Sequence, residues 1–507
     1  MVDCLSASAQ HVEAPINIKM TFRIAEVGFV VNINIFVPGL ENFPHFRNSQ
    51  LNYLTQRPLF NNIRIIKHIF HYIHKINSDI SMNLIHKTAF AVYNLSWSLA
   101  LPWLRLNHRL AEGYHQRALK DKLAGVVDLW IQAASVGESF LALEILETLQ
   151  MEQPIRILLT SNTRQGIDIL NLTLPELTRD QNRIQAAVRY FPFDKPSIMT
   201  AAIAAMRPKL MVLLESEIWP GLLLALKTQN CKILIVNGRI TEKSLQRYHF
   251  WPSIWPTLRP HKVLAISPAD ADRFGRLFGP DGIEVMSNIK FDRIAAAISC
   301  NGDKHKLKAI LPAENPFIVL ASVRQAEEIL VQNIIQDVLR TCPDTVVGLF
   351  PRHMHRIPSW QKFLRQTGIG FTLRSKVDRR ISAGHVILWD TFGELTSAYG
   401  LAKSAFVGGS LAPLGGQNFL EALVNGVIPI IGPWWDNFAW VGREIIDAGL
   451  LRVAQDWKQV ADLLLKDLAS PPPRKEIMDA GLQFIQARRG GTQMACRRIA
   501  ACLGKRT

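Results

Sequence analysis

From Val127 to Arg489, short apolar runs alternate with helical stretches, and that alternation is the strongest limit on how this chain can fold. The first series of runs is 129–133, 155–160, 186–191, 210–214, 232–236, 263–266 and 283–286. Helical stretches, including 140–149 and 198–206, separate most of them. A polar linker over 301–306 leads to a second series at 317–321, 346–350, 385–388, 405–407 and 428–431, and the chain closes with helices through Arg489. Near-continuous apolar strands that alternate with helices build parallel, doubly wound sheets covered on both faces. The expected fold class is therefore α/β, with two Rossmann-like domains and a cleft between them. Ligands of such sheets bind beyond the carboxyl ends of the strands, so the turns that follow strands are where chemistry is sought.

A chain of 507 residues has room for roughly two to four domains with their own cores. A hydrophobic fraction of 48% and a mean hydropathy of +0.09 point to membrane contact. The net charge of +16 and pI near 9.7 suit an anionic membrane surface or an acidic substrate. No arginine-rich run is interleaved with aromatics, which argues against nucleic acid. The six cysteines are scattered and none forms CxxC, which fits a reducing compartment without zinc or disulfide frameworks.

Residues 1–81 differ from the rest, mixing short apolar pieces with Asn, His and basic residues. They read as an upstream extension of non-native origin or a poorly structured arm, with Met82 a second start. Residues 82–123 read as a membrane-associated helix and a basic linker. The helix, over 82–110, carries Phe90, Tyr93, Trp97 and Trp103, with Arg105, Arg109, Arg117, Lys120 and Lys122 at or beyond its end. Asn94, Ser96, Ser98 and Pro102 interrupt it, so it spans the bilayer, dips into the cytoplasmic leaflet or packs on the domain that follows.

Several strand-end turns carry candidate groups. Ser135 and Glu138 have capping-box spacing, and Glu138 serves either that cap or a reaction as general base. Glu215 and Glu217 directly follow an apolar run and must be solvated, paired or catalytic. Lys290 closes the first domain, read as 124–300. In the second domain, 307–507, Pro351 and Arg352 follow a strand, and Arg352 can fork onto a phosphate or carboxylate. His353 and His355 lack a third metal ligand in their motif. Phe392, Gly393 and Glu394 close another strand. The stretch from Val407 to Glu421 runs a strand into Gly408-Gly409, and Gly415-Gly416 then open a helix over 418–424. Glycines admit a ligand close to the backbone, and a helix start attracts phosphate; a tight turn with an Asn cap is the plainer alternative.

Together and in order, WIQAASVGE, FPFDKP, LLESEIWP, NGRI, SNIKFD, PRHMHR, GEL, VGGSLAPLGGQNFLEAL and GPWWDNF resemble the 3-deoxy-D-manno-octulosonic acid (Kdo) transferase family. The resemblance covers about residues 82–490. It implies the GT-B glycosyltransferase fold and an N-terminal membrane-associated helix at the cytoplasmic face of the inner membrane. It implies no required metal and no cofactor beyond the donor substrate, CMP-Kdo. The implied reaction moves Kdo from CMP-Kdo to a lipid A precursor, lipid IVA, with inversion. By resemblance Glu138 is the base, Glu215 and Lys290 stabilise the transition state, and Glu217 belongs to the same motif. Pro351, Arg352, Phe392, Gly393, Glu394, Asn418, Phe419, Leu420 and Glu421 would hold CMP.

The chain also departs from that family. A Ser-Thr-His-x-Gly-Glu turn becomes Ser322-Val323-Arg324-Gln325-Ala326-Glu327, Gly-Gly-His-Asn becomes Gly415-Gly416-Gln417-Asn418, and Gly221 replaces the Asn of Trp-Pro-Asn. Two other functions share the fold: a catalytically degenerate membrane-bound protein that binds nucleotide or lipid A, and a GT-B enzyme with another nucleotide sugar.

Overall fold

The computed structural model describes residues 16–24, 29–37, 82, 84–121, 125–179, 183–298, 304–311, 315–377 and 380–504. Of residues 1–81, only strands β1 (Ile16–Ile24) and β2 (Phe29–Val37), an antiparallel pair, are among them. The remainder of that extension, and 301–303 of the predicted linker, lie outside the described residues. The chain forms two compact units, Met1–Met286 with Thr492–Thr507, and Ser287–Gly491. The division falls at Met286/Ser287, ahead of the 301–306 linker, so Lys290 belongs to the second unit.

In the first unit, strands β3 (Leu129–Ala133), β4 (Ile155–Ser161), β5 (Ile184–Tyr190), β6 (Leu210–Leu214), β7 (Lys232–Gly238), β8 (Lys262–Ala265) and β9 (Ile283–Val285) form one parallel sheet. Its order is β5-β4-β3-β6-β7-β8-β9. Both β3 and β6 are buried at every position, which is why they read as unbroken apolar runs. Strand order reverses between β3 and β6, the switch point at which such sheets open a crevice. Trp130, Leu158, Met211 and Ile235 pack with Met199, Leu222 and Phe274 in the core.

Helix α1 (Leu84–Leu104) is seated on this unit by one face. Phe90 joins the main core, while Trp97, Ala100 and Leu104 pack with Tyr114 and Phe193. Two of the polar residues inside it are hydrogen-bonded. Asn94 Oδ1 accepts from Ser197 N at 3.0 Å, and Ser96 Oγ donates back to Val92 O at 2.9 Å. Leu84, Ile85, Leu99 and Trp103 are exposed, as is Leu106 just beyond. Among the described residues no helix is long and apolar enough to cross a membrane. Arg117, counted above with the basic linker, is instead buried, its guanidinium donating to Asn162 O at 2.6 Å and to Glu112 O at 3.2 Å.

In the second unit, strands β10 (Phe317–Val323), β11 (Val346–Pro351), β12 (Phe371–Leu373), β13 (Val386–Leu388), β14 (Ser404–Val407), β15 (Pro429–Ile431) and β16 (Arg452–Val453) form a second parallel sheet. Its order is β12-β13-β11-β10-β14-β15-β16, with the switch between β10 and β14. The edge strands β12 and β16 are additions to the sequence expectation; both are short and half-buried. The last helix, Gly491–Cys502, lies in the first unit, where Arg498 pairs with Glu284 at 2.7 Å and Lys232 Nζ donates to Cys502 O at 2.7 Å.

Candidate active site

At the switch point of the first sheet, β3 leads into helix α2 (Val136–Thr148) and β6 into the turn that holds Glu215 and Glu217. Gln132 pairs in register with Leu213, so the two turns leave adjacent strands. Glu138 sits in the first turn of α2 with 8% exposure. Its Oε1 accepts from Ser135 Oγ at 2.9 Å and its Oε2 from Ala134 N at 2.7 Å, while Ser135 Oγ accepts from Glu138 N at 3.3 Å. The cap geometry is therefore present, and it fixes the rotamer of a buried acid. Burial pushes the Glu138 carboxyl up to about 8, and the charges of Glu217 and Glu215 add to that rise. A cap alone does not need that charge environment, which is the sort found where proton transfer occurs.

Glu215 has φ of +53°, a left-handed backbone unusual for a side-chain-bearing residue. Its N–H donates to Val236 O at 3.0 Å, which holds the turn against β7. Glu217 Oε2 accepts from Trp219 Nε1 at 2.8 Å and from Gln132 Nε2 at 3.1 Å. Gln132 is fully buried inside β3, and its Oε1 accepts from Thr160 Oγ1 at 2.6 Å, which fixes the amide orientation. Sequence reasoning missed Gln132, although a lone amide within LWIQA was the visible sign. It also missed Asp194, which accepts from Tyr93 OH at 3.0 Å, Gly221 N at 3.0 Å and Leu222 N at 2.7 Å. Asp194 thereby caps helix α3 (Pro220–Thr228), whose own N-cap residue, Trp219, makes no side-chain cap.

The second sheet has a different device at its switch point. Glu327 is fully buried and closes the turn after β10. Its Oε1 accepts from Arg324 N at 2.9 Å and from Gly409 N. Its Oε2 accepts from Ser410 N and Leu411 N, each at 3.2 Å. The glycine loop after β14 is thus held by a carboxylate of its own chain. A Cβ on Gly408 would lie 2.5 Å from Glu327 Oε1.

The second glycine pair is likewise filled from within. Gly415 and Gly416 have φ of +84° and +80°. A Cβ on Gly415 would meet Asn437 Nδ2 at 2.3 Å, and one on Gly416 would meet Trp435 Cα at 3.1 Å. On the side where a Cβ would stand, these glycines make room for the segment of Trp435 and Asn437. The helix that follows is Leu420–Val424, not 418–424, and one turn of helix is too short for a developed dipole. Asn418 still orders its start: Oδ1 accepts from Leu420 N at 3.2 Å and Nδ2 donates to Glu421 Oε1 at 2.8 Å. Burial raises the Glu421 carboxyl, opposed by the Asn418 hydrogen bond and the charge of Arg293. Phe419 and Leu420 are fully buried, so their side chains belong to the core and only their backbone is left for a ligand.

The remaining predicted residues also lie in this unit. Lys290 Nζ stands 5.7 Å from the ring centroid of Trp440, and helix Ile289–Ile298 also carries Arg293. Glu394 is engaged within the protein: Arg374 donates to Oε1 at 2.6 Å and Trp389 Nε1 to Oε2 at 3.0 Å. Phe392 beside it is 82% exposed, and Gly393 has open space where a side chain would be. Pro351 ends β11 and is buried, and Arg352 is exposed directly after it, its N–H donating to Val323 O at 2.8 Å. The structure thus gathers Glu138, Glu215 and Glu217 in the first unit. It places Lys290, Arg352, Phe392 and Glu421 in the second.

A family model described as 3-deoxy-D-manno-octulosonic-acid transferase (kdotransferase) matches residues 105–293. A 3-deoxy-D-manno-octulosonic acid transferase of Bordetella pertussis is 30% identical over 375 residues, covering 72% of this chain and 85% of that one. A bifunctional glycosyltransferase/methyltransferase of Fusobacterium nucleatum is 26% identical over 371 residues, covering 72% of this chain; the chain spans 55% of that relative's length. The crystal structure of the C-terminal CMP-Kdo binding domain of WaaA from Acinetobacter baumannii is 28% identical, covering 40% of this chain and 100% of that chain, with a TM-score of 0.33.

Proposed function

Because the chain belongs to the 3-deoxy-D-manno-octulosonic acid (Kdo) transferase family, we propose that it transfers Kdo from CMP-Kdo to the lipid A precursor lipid IVA, with inversion, in lipopolysaccharide biosynthesis. The observation that carries the catalytic assignment is Glu138, a buried carboxyl raised to about 8 and fixed by Ser135 and Ala134. Once ionised, such a group is a strong base in a dry site. It takes the proton of an acceptor hydroxyl, whose oxygen attacks the anomeric carbon of Kdo. A new C–O bond forms on the face opposite CMP, and the bond to the phosphate breaks.

The first unit supplies the acceptor side, with Glu215 and Glu217 beside the base. The second supplies the donor side. Arg352, the backbone of 392–394 and 418–421, and Glu421 hold CMP, and Lys290 meets negative charge as it develops. Cationic side chains take the place of a metal in this reading. The exposed apolar face of α1, with exposed Arg105 and Arg109, supports a seat on the cytoplasmic face of the inner membrane.

The test is transfer itself. Purified protein incubated with CMP-Kdo and lipid IVA should release CMP and give an acceptor heavier by Kdo. Folded protein that binds CMP and releases none from the donor would instead be a degenerate binding protein.

A further inference from the structure

Arg324 opens the turn after β10, and its surroundings say what that arginine meets. Strand register pairs Val323 with Pro351, so Arg324 and Arg352 are the first residues beyond two neighbouring strand ends. The Arg352 N–H bonded to Val323 O ties the two ends together. His353 and His355 stack on the same segment, ring centroids 5.5 Å apart and planes 17° from parallel. Arg324, His355 and Arg352 all act electrostatically on His353, lowering its affinity for a proton beyond the effect of desolvation.

The acids of this turn do not neutralise the cluster. Glu327 spends both oxygens on four backbone N–H groups. Glu328 is forked by Arg356, at 2.9 and 2.6 Å. Among the described residues, neither Arg324 nor Arg352 has an ion pair with a carboxylate. Two arginines that open neighbouring turns and both act on His353, with the local acids engaged elsewhere, suit an anion that arrives from outside.

Resting on the donor site proposed above, we infer that Arg324 is a second anion-binding residue of that site, beside Arg352, and grips an anion of the nucleotide sugar. That sugar nucleotide carries two, the phosphate and the Kdo carboxylate. Arginine keeps its charge at every working pH, whereas a histidine loses its charge as pH rises past its ordinary value of about 6.5. The side chain of Arg324 takes no part in the Glu327 clasp, which uses only its backbone N–H.

Arg324→Gln and Arg324→His test the assignment, with thermal unfolding checked first and Arg352→Gln run in parallel. Arg324→Gln should raise KM for CMP-Kdo about ten- to a hundredfold, the range expected for one lost charge-assisted contact. Arg324→His should recover donor affinity at pH 6 and lose it again at pH 8.5, while the parent shows no such change. Calorimetry with CMP assigns the anion: weaker CMP binding in Arg324→Gln points to phosphate, and unchanged CMP binding with raised donor KM points to the sugar carboxylate. Unchanged KM in Arg324→Gln with raised KM in Arg352→Gln would overturn the role of Arg324 alone. Unchanged KM in both would overturn the donor-site reading beneath it.

Discussion

Glu327 Oε2 accepts from Ser410 N at 3.2 Å, so one buried carboxylate joins the turn after β10 to the glycine loop after β14. Three further backbone N–H groups, of Arg324, Gly409 and Leu411, share that carboxylate. Removing it leaves three buried donors and the half-buried Arg324 N–H unmatched. Glu327→Ala is expected to lower unfolding stability by about 3–5 kcal/mol, measured by urea titration. A loss below about 0.5 kcal/mol would mean that water or a relaxed loop serves these groups equally well.

Glu138 makes the pH dependence specific. As a general base it works only when ionised, so kcat/KM should climb tenfold per pH unit below about 8 and level off above it. Glu138→Gln should lose about two to four orders of magnitude in turnover. Stability runs the other way. The folded carboxyl lies above its ordinary value, so the stability it confers is full at low pH and is lost as pH rises through about 8. Glu138→Gln does not titrate, and its Tm relative to the parent should therefore rise between pH 5 and pH 9. A flat difference, or one of opposite sign, would remove the raised carboxyl from the account.

Much of the fold was legible in the sequence because parallel strands buried on both faces are short apolar runs. β3 and β6 were placed at their observed bounds for that reason. β12 and β16 were missed because edge strands of two or three half-buried residues carry no such run. Within the candidate site, Glu138 stood out by its capping-box spacing from Ser135, and Glu215 as an acid directly after an apolar strand. Asp194 and Glu327 did not, since the N–H groups that they serve come from distant segments, Gly221 and Leu222 in one case and 409–411 in the other. Gly415 and Gly416 were legible as a special turn, but their partners, Trp435 and Asn437, lie beyond the following strand and left no local sign.

Gly221 shows why a family residue need not fit this chain. A Cβ at that position would lie 2.5 Å from Asp194 O and 2.9 Å from Asp194 Oδ1. The close approach lets Asp194 reach Gly221 N and Leu222 N and cap the helix behind the Glu217–Trp219 pair. Gly221→Asn, the substitution toward the family pattern, should therefore destabilise by about 1–3 kcal/mol in urea unfolding. Neutral or improved stability would show that the 190s turn yields freely, contrary to a buried Asp194 with three donors.

The outer face of α1 gives the last expectation. Leu99 and Trp103 are exposed on a helix whose other face is anchored through Tyr93 OH to Asp194 and through Trp97 to Phe193, 5.8 Å between ring centroids. Replacing outward residues therefore leaves the anchors intact. Each large apolar side chain contributes about 1.5–3 kcal/mol when fully buried, so half-burial of two suffices for a tenfold partition effect. Leu99→Ser with Trp103→Ser should weaken sedimentation with anionic vesicles at least tenfold, while transfer to detergent-dispersed acceptor is retained. Raised salt should weaken vesicle binding of the parent as well, because Arg105 and Arg109 are exposed beside that face. Unchanged vesicle binding by the double variant would move the membrane seat away from α1.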